Sequence, residues 1–119
     1  CMTNEQKREL LALAAKAAGL SVKLWEGFSG TMCAIDDVRH GRMWMPLDDD
    51  GDCARLAASV EIDTHFRVVG SLRVEALPPG GPLVVQTYAS ADERMLAWRL
   101  AVVRAAAEYY ARMNRGGRV

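Results

Sequence analysis

Hydrophobic residues recur at two different periods along the chain, and each change of period marks a predicted element. Helical spacing follows Thr3, which forms the S/T-x-x-E/Q pattern of a capping box with Gln6, and Gly19 comes directly after the last apolar positions. These signals predict a first helix between Thr3 and Gly19. Apolar residues at Val22 and Leu24 on either side of a lysine then predict a short strand.

The middle of the chain is less regular. The stretch from Trp25 to Trp44 contains several glycines and one apolar run, so we predict a strand and loops there. The segment from Trp44 to Asp52 is predicted to be a loop that leads into a second helix. The apolar positions of that helix are Cys53, Leu56, Ala57 and Val60.

The pattern changes to a period of two in the next part of the chain. The residues from Ile62 to Val68 and from Leu72 to Ala76 alternate between apolar and polar, which predicts a β-hairpin. The proline- and glycine-rich turn at 78–82 cannot continue a strand, and Leu83 to Tyr88 is predicted to be a third strand of the same sheet.

A long helix is predicted at the end. Ser90 and Glu93 form a second capping-box pattern, and apolar residues at helical spacing continue from about Ala91 to Asn114. The whole order of elements predicts one α+β domain over residues 1–119, with an antiparallel sheet of about four strands. Because the pairs Val68-Val69 and Val84-Val85 place apolar side chains on both sides of their strands, we expect helices on both faces, as in an α/β/α sandwich.

Composition excludes several functional classes. The 119 residues carry 15 basic and 15 acidic side chains, and this zero net charge disfavours binding to nucleic acid. No apolar stretch reaches the length of a membrane span, and the polar beginning does not resemble a secretory leader. We therefore expect a protein of the cytoplasm without a membrane partner.

No catalytic, metal-binding or cofactor-binding signature is present in the sequence. The three cysteines are widely spaced, and His40 and His65 lie far apart in the sequence, so neither a disulfide framework nor a zinc site is predicted. The chain also lacks a nucleophile elbow, a phosphate-binding loop and a dinucleotide-binding motif. These observations predict a protein that is not an enzyme and needs no cofactor.

Four carboxylates precede the second helix and form a candidate binding site: Asp48, Asp49, Asp50 and Asp52. Oxygen ligands on a glycine-containing loop suit Ca²⁺ or Mg²⁺, but the EF-hand spacing places Cys53 and Ser59 where glycine and glutamate are required. The alternative is structural, since carboxylates cap helix starts and oppose the helix dipole. We predict that Asp49 or Asp50 caps the second helix.

The apolar residues of the same loop are predicted to anchor it in the domain; they are Trp44, Pro46 and Leu47. An exposed Trp44 would instead make this loop a surface for a partner.

The last helix has one narrow polar arc, which contains Glu93, Arg94, Arg104, Glu108, Arg112 and Arg115. Such a wide apolar remainder requires two neighbours, so we expect a homo-oligomer. The alternative is a helix wedged between the sheet and the first helix. Arg99 lies inside the apolar arc near Tyr110, and a buried guanidinium needs a carboxylate, a carbonyl or an anionic ligand. Both residues are therefore candidate binding residues, although Arg99 can also pair with an internal acid or extend to the surface.

One segment of the chain reads Trp44-Met45-Pro46-Leu47-Asp48-Asp49-Asp50-Gly51-Asp52-Cys53-Ala54-Arg55-Leu56-Ala57. It resembles the W-x-P-L-x-D-D-G-D-A-x-R-L-A stretch of small phage and prophage proteins grouped as the phage ABA sandwich domain. The alanine-rich stretches Glu9–Gly19 and Arg99–Glu108 look like the opening and closing helices of that family. The resemblance implies a helix/sheet/helix sandwich and a phage protein acting inside a bacterial host. It implies no activity and no catalytic residues.

Three functions remain open at the level of sequence. The first is a non-enzymatic accessory protein that binds and modulates a host protein, such as a defence component, with Trp44 and the four aspartates facing a basic partner surface. The second is an oligomer that sequesters an anionic nucleotide through arginines such as Arg99. The third is a divalent-metal enzyme that uses the aspartates.

Overall fold

Helices and strands follow one another in the predicted order in the computed structural model, which describes residues 3–20, 22–26, 32–36 and 42–116. The elements are α1 (Asn4–Ala17), β1 (Val22–Glu26), β2 (Met32–Asp36), β3 (Arg42–Met43), α2 (Asp50–Val60), β4 (Asp63–Arg67), β5 (Arg73–Leu77), β6 (Val84–Thr87) and α3 (Arg94–Gly116). The stretch from Trp25 to Trp44, predicted as a strand and loops, contains the two strands β2 and β3.

The described strands form two antiparallel sheets of three strands each, in the orders β1-β2-β3 and β4-β5-β6. The α+β class is confirmed. We expected a single sheet of about four strands. The described chain has two sheets instead, because β4, β5 and β6 pair only among themselves. The strands on either side of α2 therefore belong to different sheets.

The two predicted capping boxes have different outcomes. In α1, Thr3 Oγ1 accepts from the Gln6 backbone N–H at 3.1 Å and Gln6 Oε1 accepts from the Thr3 N–H at 2.9 Å, so this box is confirmed. At the last helix, the Ser90 side chain makes no capping bond, and the prediction is wrong there. The first residues form a 3₁₀ turn at Ala91–Glu93, and the Glu93 carboxylate accepts from the Ala89 N–H at 3.0 Å instead.

Helix α3 lies at the centre of the packing, in contact with α1, α2, β5 and β6. Its fully buried residues are mostly small, which lets neighbouring elements approach closely; they include Ala101, Val102, Val103, Ala105 and Ala106. Neighbours within the same chain therefore cover most of its apolar arc, as the wedged arrangement requires. No helix of the described chain has the length and apolar character required to cross a bilayer.

The sheet β4-β5-β6 is covered by α3 on one face only in the described chain. Val74, Ala76 and Val84 point to the helix and are buried, whereas the aligned row of His65, Glu75 and Val85 faces outward. We expected helices on both faces, but the described chain has a helix on one face of this sheet. The position of Val68-Val69 explains part of the difference. These two valines lie beyond the end of β4, in the connection to β5, and so do not alternate across the sheet.

Candidate functional site

The segment Trp44–Asp52, which we call the acidic segment, is held in the domain by its apolar side chains. Trp44 is 7% exposed and Pro46 is fully buried, while Leu47 packs against the core at its edge. The predicted anchoring by these three residues is confirmed. The indole of Trp44 is therefore part of the core and does not form a partner surface.

Asp49 is the N-cap of α2, as predicted. Its backbone is extended, and its Oδ2 accepts from the Asp52 N–H at 2.8 Å, which satisfies one of the free donors at the helix start. Gly51 leaves space for this bond, because a Cβ there would lie 3.2 Å from Asp49 Oδ2. A side chain at position 51 would therefore crowd the capping carboxylate.

Asp52 is the buried acid of the segment, at 8% exposure. Its Oδ2 accepts from the Met45 N–H at 2.9 Å, and its Oδ1 accepts from Arg55 Nη2 at 2.6 Å. This carboxylate therefore closes the segment back onto the helix, with a charge-assisted bond on each oxygen. The role of Arg55 was not predicted, although its i, i+3 spacing from Asp52 was a signal for the pair.

Arg99 of α3 reaches the acidic segment. Its Nε donates to the Leu47 carbonyl at 2.8 Å, and its Nη1 lies 2.5 Å from Asp50 Oδ1. The Arg99 side chain is 17% exposed, so the internal acid and the carbonyl supply the partners that a mostly buried guanidinium requires. The structure thus brings together Arg99 and Asp50, which is the internal ion pair that the sequence offered as the alternative to a ligand.

Cys53 lies fully buried beneath this contact, with its Sγ 3.9 Å from the Arg99 carbonyl oxygen. Burial raises the pKa of the Cys53 thiol from 9.0 to about 12, although the nearby Arg99 charge lowers it and Asp50 raises it. A thiol in this state is a small core residue and a poor nucleophile.

Two candidate residues are separate from these contacts. Tyr110 lies three turns along α3 from Arg99, where its ring is 5.9 Å from Lys16 Nζ of α1. Asp48 is exposed, and within the described residues only its backbone N–H is bonded, to the Met45 carbonyl at 3.0 Å. Among the described residues, no group of three or more His, Cys, Asp or Glu side chains could hold a metal ion.

A second surface, at the connection between β4 and β5, was not predicted. Val68 is 69% exposed and Val69 is 83% exposed. The backbone that carries them is fixed by Arg73, whose Nη1 donates to the Val69 carbonyl at 3.0 Å and lies 3.4 Å from the Ser71 carbonyl oxygen. The signal was two adjacent valines directly before Gly70-Ser71, where a turn normally carries polar residues.

Arg73 is itself held by Glu75. The Glu75 carboxylate accepts from Arg67 Nε at 3.1 Å and from Arg73 Nε at 3.3 Å. The hydrogen bond from Arg67 is the main cause that lowers the Glu75 pKa below its ordinary value, although burial acts in the opposite direction. A shallow depression of about 550 Å³ at this end of the hairpin is lined by Phe66, Arg67, Val68, Val69, Arg73 and Glu75.

The start of α3 lies at the same end of the sheet. β6 ends at Thr87, opposite Arg73, and the Tyr88 N–H donates to the Leu72 carbonyl, so the chain leaves the sheet beside the β4–β5 connection. Helix α3 begins six residues after Tyr88 and carries two exposed apolar residues in its first turn, Met95 and Leu96. We call Val68 and Val69 the tip surface.

Comparisons of the chain with family models, with curated proteins and with solved structures found no match. The resemblance to the phage ABA sandwich domain therefore stays a prediction, and the proposed function depends on the geometry of the acidic segment and of the tip surface.

Proposed function

We propose that this protein is a non-enzymatic phage or prophage accessory protein that binds and modulates a protein of its bacterial host, and that it does so through the tip surface. The observation that carries the proposal is the pair of exposed valines on a backbone held by Arg73. A rigid apolar projection loses little conformational entropy on binding, so it suits an apolar groove on a partner. The phage setting comes from the sequence resemblance.

The carboxylates of the acidic segment are mostly used in contacts within the domain, which favours the tip surface as the binding surface. Asp49 caps α2, Asp52 bonds to Met45 and Arg55, and Asp50 pairs with Arg99. A partner that took these carboxylates would have to replace contacts that hold the domain together. Asp48 is the one exposed aspartate of the segment with a side chain that takes no part in them, and it supplies a matched control.

The nucleotide-sequestering alternative draws less support. Arg99 already bonds to the Leu47 carbonyl and to Asp50, so an anionic ligand would have to displace an internal carboxylate. The metal-enzyme alternative meets the same difficulty at Asp49 and Asp52. The host-protein function is therefore the one with the most support.

Quantitative capture experiments with immobilised protein test the proposal. The wild-type protein, a Val68→Asp/Val69→Asp variant and an Asp48→Asn control are each incubated with lysate of the bacterial host. We expect one host protein to be retained by the wild type and the control, and to be lost from the tip variant because a charged side chain cannot enter an apolar groove. The retained protein is then purified, and its affinity for the three proteins is measured by calorimetry.

Two outcomes would overturn the proposal. The first is that no retained protein depends on the two valines. The second is that the Asp48→Asn control loses the partner while the tip variant keeps it, which would move the surface to the acidic segment.

A further inference from the structure

The two edges of the sheet β4-β5-β6 differ in how they are protected. At the β6 edge, Arg104 Nη1 lies 3.3 Å from the Val85 carbonyl oxygen and 2.8 Å from Gln86 Oε1, so the guanidinium covers the strand. At the other edge, β4 pairs only with β5 in the described chain, and four of its five residues are exposed. An open edge strand is a template for a further strand.

The charges of β4 are complementary to those of a second β4 strand that runs in the opposite direction. It reads Asp63-Thr64-His65-Phe66-Arg67. In an antiparallel pair of two β4 strands centred on His65, Asp63 faces the partner's Arg67, and Arg67 faces the partner's Asp63. Opposite charges across a strand pair stabilise it, and like charges would oppose it, so this register is the one that the charges select.

We propose that β4 is a dimerisation strand, which pairs with β4 of a second copy of this chain about a two-fold axis at His65 and so extends the two sheets into one of six strands. The proposal does not depend on the proposed function. It replaces the oligomer contact expected at α3, where α1, α2 and the sheet cover most of the apolar arc and Asp50 pairs with Arg99.

The side chains of β4 fit such a pair on both faces of the sheet. Asp63 is exposed and makes no ion pair within the described chain, while Arg67 uses its Nε for Glu75 and keeps its terminal nitrogens for a second carboxylate. On the inner face, Phe66 is 44% exposed and would lie opposite the partner's Thr64, which reduces the exposed area of the ring. An interface of five residues per chain is small, so dimer formation should depend on concentration.

The pairing also has a consequence for the tip surface. In an antiparallel pair the two β4–β5 connections point in opposite directions, and Val68 and Val69 lie outside the paired residues 63–67. The dimer therefore presents two separate tip surfaces.

A charge-swap experiment tests the register directly. The mass in solution is measured by light scattering after size-exclusion chromatography, over roughly a hundred-fold range of protein concentration. The wild type should change from a monomer of 13.1 kDa towards twice that mass as concentration rises. Asp63→Arg alone and Arg67→Asp alone should each stay monomeric, because each homodimer would bring like charges together. An equimolar mixture of the two variants should form a heterodimer, because each Arg then faces an Asp.

A crosslinking experiment keeps the proposal testable where Arg67→Asp disturbs the pair with Glu75. In a Cys1→Ser/Cys33→Ser background, His65→Cys places two thiols across the two-fold axis, within the distance that a disulfide spans. Oxidised glutathione should then give a covalent dimer, whereas Thr87→Cys on β6 should not. A wild type that stays monomeric at every concentration, or equal crosslinking at positions 65 and 87, would overturn the proposal.

Discussion

The four aspartates at the start of α2 have four different environments, although they are close neighbours in the sequence. Asp48 and Asp49 precede the helix, and Asp50 and Asp52 lie in its first turn. Asp49 caps the helix, Asp52 is buried against Met45 and Arg55, Asp50 reaches Arg99 on another helix, and Asp48 stays in solvent. In the sequence they look like one acidic cluster. Their different roles depend on the direction in which each side chain leaves the backbone around the start of α2, and a count of charges gives no information about that direction.

Cys53 gives the clearest prediction at the scale of one residue. At pH 8 a thiol with a pKa of 9.0 is about one-tenth thiolate, and one with a pKa of about 12 is about a thousand times less ionised. In a Cys1→Ser/Cys33→Ser background, we expect a thiol reagent to label Cys53 more slowly than unfolded protein by at least this factor. The unfolded protein in guanidinium chloride is the control, and full labelling of the native protein within minutes would contradict the burial.

The same shift has a consequence for stability. Because the folded-state pKa lies above the unfolded value, the stabilising effect of the protonated thiol is fully present below pH 9 and is lost as the pH rises towards 12. Other groups also destabilise the protein at high pH. The contribution of Cys53 is therefore isolated by comparing the unfolding free energy of the wild type with that of Cys53→Ala over the same pH range.

At the scale of elements, the sequence predicted the helices and the β4–β5 hairpin correctly because local signals determine them. Thr3 and Gln6 cap α1, Gly19 follows it with φ at +76°, and the period of two predicts both strands of the hairpin. The sequence does not predict the contact between Arg99 and Leu47, because it joins residues 52 positions apart. Periodicity along one helix reports that Arg99 needs a partner but does not identify it.

The contact between α2 and α3 leads to a prediction by double-mutant cycle. Arg99→Met keeps the aliphatic stem but removes the donors to Leu47 and Asp50, and we expect it to lower the unfolding free energy by about 2 kcal/mol. Asp50→Asn should cost less than about 1 kcal/mol, because Asp50 is mostly exposed and water screens its charge. Urea unfolding of both variants and of the double variant measures the coupling, which we expect at about 0.5 to 1 kcal/mol.

Two results would contradict this view of the contact. One is an Arg99→Met variant as stable as the wild type, and the other is full additivity of the two changes.

At the scale of the whole molecule, the predicted sandwich assumed that apolar pairs in a strand need cover on both faces. The sequence predicts Val68-Val69 to be such a pair, but it lies in the connection beyond β4 and is exposed there. The division into two sheets was not predicted either, because strand pairing depends on how the chain turns around α2 and not on local pattern. The acidic segment joins α2 and α3 within the domain, while the hairpin end projects from it.

The central claim is that the acidic segment maintains the fold and that the tip surface is free to contact a partner. The unfolding free energy of two variants tests this claim most directly. Asp52→Asn should lose about 2 kcal/mol, because a buried carboxylate with two charge-assisted bonds becomes an amide that faces Arg55. Val68→Asp/Val69→Asp should stay within about 0.5 kcal/mol of the wild type, because exposed side chains contribute little to stability. The opposite order, with the tip variant destabilised and Asp52→Asn unchanged, would contradict the account.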